Sequence, residues 1–169
     1  MKTRLHFMSM AVAGVSAGLV GCATPPPESS GLSQADQVLR QASPNAAVAL
    51  TITPPQVRVG DTIAMQTGSG QPGYLYVYQV GTDNKTLSMV FPNAMDGANY
   101  IGGGGVMASL PRPNWRITAK GPAGVGYFLA VVASKQQDLT KLAADVKEGR
   151  IAVDGPYGAA MATLREVGP

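Results

Sequence analysis

The 169-residue chain has one cysteine and one histidine, and the residues it lacks narrow its chemistry first. A lone Cys22 excludes an intrachain disulfide and any Cys-rich zinc site. The single histidine, His6, lies near the N-terminus, so the rest of the chain has no imidazole for a Ser–His–Asp triad or a His-based zinc centre. Charged residues make up only 14% of the sequence. The formal charge is +3, but Lys2 and Arg4 stand apart at the start, and the remainder carries 11 positive against 10 negative side chains. A nearly neutral body excludes a polyanion-binding role, so no nucleic-acid partner is expected. No apolar run reaches the length of a confident membrane span. The longest, from about Phe7 to Val20, is too short.

What is present begins with that run. MKTRLHFMSMAVAGVSAGLVGC has a positive n-region at Lys2 and Arg4, an apolar middle, and Leu19-Val20-Gly21-Cys22 at its end. It resembles a bacterial lipobox. The resemblance implies cleavage before Cys22 and a diacylglycerol on its thioether, with acyl chains holding the protein to a bilayer at roughly 0.8 kcal/mol per buried methylene. An ordinary secretory leader and a retained membrane helix are the alternatives. Residue 23 is Ala rather than Asp, which by the enteric rule implies the outer membrane. The chain thus divides into a lipoprotein signal peptide at 1–21, lipidated Cys22 with a Pro/Ser/Gly-rich tether at 22–33, and one globular domain at 34–169.

The body reads as mostly β. Val48, Leu50 and Ile52 alternate before Pro54-Pro55 stops the strand, and 57–65 is a second strand region with a turn at Gly60-Asp61. Gly73 to Val80 alternates most clearly, with Leu75 and Val77 on one face and Tyr74, Tyr76, Tyr78 and Val80 on the other. Further strands are expected at 87–91, 106–110, 115–119 and 126–134. Helical spacing marks 34–41, capped by Ser33, and 138–149, capped by Asp138 or Ser134 and ended by Gly149. The Ala-rich stretch 155–164 reads as a second C-terminal helix. The expected fold is an antiparallel β-sandwich with short C-terminal helices.

Three segments carry a family resemblance. They are Gly73 to Val80, Leu87 to Asn93 (LSMVFPN), and Trp115 to Ala133 with its Gly-Pro-Ala-Gly turn. In this order they are similar to the domain of unknown function 4384 family, over about residues 50–135. The family occurs on secreted, lipid-anchored and signalling-associated bacterial proteins. No catalytic residues are assigned to it, so the resemblance implies none here. The chain departs from the pattern in lacking an acidic residue before the hairpin and in its run Gly102 to Gly105.

No catalytic constellation emerges from the residues themselves. The carboxylates, Asp83 and Asp96 among them, match neither a catalytic pair nor a calcium loop. Gly102 to Gly105 lacks the Lys-Ser/Thr ending of a phosphate-binding loop, and no G-x-S-x-G occurs. No cofactor or metal is expected. The tyrosine stripe suits either a ligand surface or a covered sheet face. Arg112, Arg116 and Lys120 beside Trp115 suit either a partner interface or a solvated edge around a core tryptophan. The long Gly-rich stretch 93–116 is the expected recognition rim, with Tyr100, Arg112, Trp115 and Arg116 as its contact residues. The expected function is non-catalytic binding of a protein partner by a lipoprotein at the periplasmic face of the outer membrane, in a secretion or surface-assembly system. An immunity or inhibitor lipoprotein directed at a toxin or wall hydrolase is the alternative.

Overall fold

The computed structural model describes residues 30–168. The expected signal peptide at 1–21, Cys22 and residues 23–29 of the expected tether lie outside the described residues.

The chain enters through helix α1 (Gly31–Gln41), whose buried face includes the expected Ala35 and Val38. Its cap is Ser30 rather than Ser33: the Ser30 hydroxyl accepts from the Ser33 amide at 3.1 Å. The helix starts earlier than its sequence spacing suggests because a distant turn meets it. The amides of Gly31 and Leu32 donate to the carbonyls of Lys85 and Asn84, at 3.2 and 3.1 Å, satisfying donors that a helix start leaves open.

Ten strands follow, in two sheets. The first sheet has the order β1 (Val48–Thr53), β3 (Thr62–Ser69), β7 (Met107–Leu110), with β8 (Ile117–Thr118) also on β3. The second runs β2 (Gln56–Arg58), β10 (Tyr157–Val167), β9 (Gly124–Ala133), β4 (Gly73–Val80), β5 (Leu87–Phe91), with β6 (Tyr100–Ile101) also on β4. Pairing is antiparallel throughout except between β2 and β10, which run parallel.

The sheets face each other across Ile63, Met65, Leu75, Val77, Phe91, Phe128, Leu164 and their neighbours. The predicted alternation of Val48, Leu50 and Ile52 toward this layer holds. A third layer covers the other face of the second sheet. There α1 and helix α2 (Leu139–Lys147) bury Tyr76, Tyr78, Val80, Leu129 and Val131 with Ala35, Val38 and Leu142. Strands β4 and β9 are therefore buried on both faces, which explains their nearly unbroken apolar sequences.

The sandwich expectation holds, but residues 155–164 are not a helix. They lie in β10, paired with β9 from Tyr157↔Ala133 to Glu166↔Gly124. Ala is a strong helix former, yet here its small size is what counts. Ala159 and Met161 lie under the helices, while Ala162 and Leu164 face the first sheet. Among the described residues only one helix therefore lies C-terminal to β9. It is capped by Asp138, as expected, whose carboxylate accepts from the Thr140 amide at 2.8 Å.

The two flanks close differently. On one flank the chain from Ser43 to Arg58 follows β10. The Ser43 amide donates to the Tyr157 carbonyl at 2.8 Å, the Arg165 amide donates to the Pro55 carbonyl at 3.0 Å, and the chain crosses from the first sheet to the second at Pro54-Pro55. On the other flank both outer strands are interrupted. β5 and β6 share one edge of β4, with 92–99 between them. β7 and β8 share one edge of β3, with 111–116 between them.

Candidate functional site

The two interruptions meet around Asp96. Its turn is held by reciprocal backbone bonds between Asn93 and Asp96, at 3.0 and 3.1 Å, and by the Asn93 side chain, which accepts from Met95 N–H at 2.9 Å and donates to the Val90 carbonyl at 3.0 Å. Asp96 is only 8% exposed. A carboxylate this buried needs partners, and the second interruption supplies them. The Arg112 guanidinium donates to one Asp96 oxygen, and Trp115 Nε1 donates to the other at 3.1 Å. Arg112 also donates to the Ala98 carbonyl at 2.9 Å, and Asn114 Nδ2 to the Met95 carbonyl at 2.6 Å. The Trp115 ring lies parallel to Phe91, 6.2 Å between centroids, and Arg112 sits 5.5 Å from the Phe91 centroid. This cluster ties the edge of one sheet to the edge of the other.

Beside the cluster the sheets part. A cleft of about 360 Å³ opens between β5 and the β8 segment. Met89, Val90 and Ile117 give it an apolar lining, Trp115 and Met95 flank it, Gln79 and Ser88 add polar groups, and Arg116 and Lys120 add two cations. Among the described residues no carboxylate lines it, and neither cation makes an ion pair. A narrower hollow of about 270 Å³ continues past Gln79, Ser88 and Lys120 toward the 81–86 turn. Its carboxylates are already engaged. Glu166 accepts from the Gly121 amide at 2.6 Å. Asp83 accepts from the Thr86 hydroxyl and from the amides of Thr86 and Lys85, bonds that hold its pKa down to about 2. A hollow of about 300 Å³ near Ser69 and Tyr157 carries no charged lining residue.

Of the four predicted contact residues, the structure joins three. Trp115 and Arg116 line the cleft, and Arg112 stands behind it, committed to Asp96. Arg112 is thus a structural ion-pair partner whose side chain stays partly exposed. Tyr100 does not line the cleft. It is 61% exposed on β6, edge-to-face with Tyr74 at 5.2 Å. The tyrosine stripe resolves as core: Tyr76 and Tyr78 are buried beneath the helices, the Tyr76 hydroxyl accepts from the Gln137 amide at 2.8 Å, and burial pushes the Tyr78 hydroxyl pKa up. The glycine run packs against the β3–β4 connection, with Gly104 and Gly105 amides donating to Gly70 and Ser69 carbonyls at 3.1 and 3.0 Å.

Sequence reasoning missed Asp96, Gln79 and Ser88. For the last two a signal existed. Gln79 continues the inward series Leu75, Val77, and Ser88 precedes inward Val90. A polar residue at an inward strand position marks where a core gives out. Asp96 carried no such signal, since its partners lie 16 and 19 residues away. Among the described residues no group of three His, Cys, Asp or Glu side chains is placed to hold a metal.

The fold and site define a three-layer β-sandwich with a cationic cleft at one interrupted flank. Residues 56–136 match the family described as Domain of unknown function (DUF4384), so the chain carries a DUF4384-like domain. The matched segment contains both interruptions and every residue lining the cleft. Among curated proteins, none matches the chain.

Proposed function

We propose that this protein is a lipid-anchored, non-catalytic lipoprotein at the periplasmic face of the outer membrane, which binds a protein partner within a secretion or surface-assembly system. The anchor reading rests on Lys2, Arg4, the apolar run, Leu19-Val20-Gly21-Cys22 and Ala23. The binding reading rests on one observation: a cleft on a rigid sandwich flank that combines a half-buried tryptophan with two cations that make no ion pair among the described residues. Tryptophan and arginine are the side chains most enriched at energetic anchors of protein interfaces. Because Arg112 and Asp96 hold the surrounding loops in place, ordering those loops costs little on association.

Affinity capture from envelope extract tests this with three forms: wild type, Arg116→Glu/Lys120→Glu, and Tyr100→Ala. The expected result is a partner held by wild type and Y100A and lost at least tenfold by the charge-reversed form. A partner lost only by Y100A would place the interface on β6 and overturn the cleft assignment. Capture of a toxin or wall hydrolase would favour the immunity reading over an assembly role.

A further inference from the structure

We infer that the partner occupies the cleft as an extended, acidic chain segment that adds a strand to the open edge of β5. This rests on the cleft being the partner site, and it names what that site takes. β5 pairs with β4 on one side only. Among the described residues, Leu87 to Val90 make no backbone bonds beyond the β4 ladder, and only the Val90 carbonyl is taken by a side chain, Asn93 Nδ2. Up to the bulge at Val90, alternate amides and carbonyls of β5 face away from β4, and Ser88, Met89 and Val90 line the cleft, with Val90 turned toward the inter-sheet layer and Met89 toward the helix layer. The opposite bank, β8, is two residues long and pairs with β3 in the other sheet and not with β5, while α2 packs against β5 in the helix layer that holds Leu87 and Met89.

Exposed edges are ordinarily blunted by a lysine or proline within the strand, by a bulge, or by a covering element. LSMVF has neither lysine nor proline, and both its bulge at Val90 and Pro92 stand at its far end, which leaves Leu87 to Met89 regular. The other flank shows the contrast: there β1 and β2 follow β10, and the chain itself closes the sandwich. The regular length of β5, Leu87 to Met89, accommodates a segment of about three residues. Strand addition draws affinity from main-chain bonds and selectivity from alternate side chains. In this cleft those side chains meet Arg116 and Lys120 with no lining carboxylate, which selects aspartate or glutamate at alternate positions.

The test uses the full chain in detergent micelles, panned against a displayed library of random eight-residue peptides. The leading peptide is then synthesised and titrated. The expected peptides alternate β-branched with acidic residues. Binding should fall at least tenfold in Arg116→Glu/Lys120→Glu while melting stays unchanged, and hydrogen exchange at Leu87 to Met89 should slow when peptide binds. Acidic peptides that bind without slowing exchange there would overturn strand addition and leave the cleft as the partner site. Neutral or basic peptides, or no enriched peptide, would overturn the proposal itself. The envelope capture above judges the parent reading independently.

Discussion

Asp96 shows how one side chain can set the geometry of a flank. Its carboxylate is buried and holds two donors that come from a single six-residue interruption in the opposite sheet. Removing Arg112 leaves that acceptor short of a charged partner in a poorly solvated place. Arg112→Ala should therefore cost about 2 kcal/mol of stability, less than a fully buried pair because Arg112 is partly exposed. Arg116, exposed and outside any ion pair among the described residues, should tolerate the same change within about 0.5 kcal/mol. Urea denaturation of the two variants checks this. Equal losses would mean that Asp96 does not organise the flank. Two arginines four residues apart thus have opposite roles, and only their surroundings distinguish them.

Among the elements, β10 is where local preference and global structure disagree most. Its Ala, Met and Leu content favours a helix, and tertiary packing overrides it. Gly158 makes the disagreement testable, because the two conformations predict opposite signs. In a helix, Gly158→Ala would stabilise by about 1 kcal/mol. In β10 the added Cβ runs into the Ala46 carbonyl oxygen and comes within 2.8 Å of the Val48 side chain. Backbone cannot yield as a flexible side chain can, so the substitution should destabilise by about 2 kcal/mol. A thermal-melt comparison of wild type and G158A reads the sign directly. An increase in melting temperature would contradict the strand.

For the whole molecule, the family match and the folded unit do not coincide. Residues 56–136 hold the cleft, but β10 lies between β2 and β9, both inside that segment, and comes from beyond it. The matched stretch by itself lacks a central strand of its own sheet. Ending the chain at residue 150 should leave β9 with an unpaired edge and expose its apolar faces, giving insoluble or unfolded protein by far-ultraviolet circular dichroism. Soluble, β-rich material would show that β10 is dispensable. At the other end, Cys22→Ser should abolish incorporation of a clickable fatty acid in the producing cell. Label retained by the variant would refute acylation at Cys22.

Much of this architecture was legible in the chain itself. Period-two alternation marked β1 and β4, whose Val48, Leu50 and Ile52 and whose Leu75 and Val77 turn toward the inter-sheet layer. Asp138 and Gly149 marked the bounds of α2 because caps are local chemistry. The scarcity of histidine and cysteine, one of each, and the lipobox-like segment around Cys22 are matters of sequence alone. Tertiary structure decided the rest. It turned an Ala-rich segment into a central strand, because sheet pairing and close packing on both faces outweigh a fraction of a kcal/mol per residue of helix preference. It took Tyr76 and Tyr78 into the core by laying helices over them. It engaged Arg112 in an ion pair with Asp96 and left Arg116 and Lys120 facing a cleft. Each of these outcomes depends on residues far apart in the chain, and no local pattern records which distant groups will share a boundary with water.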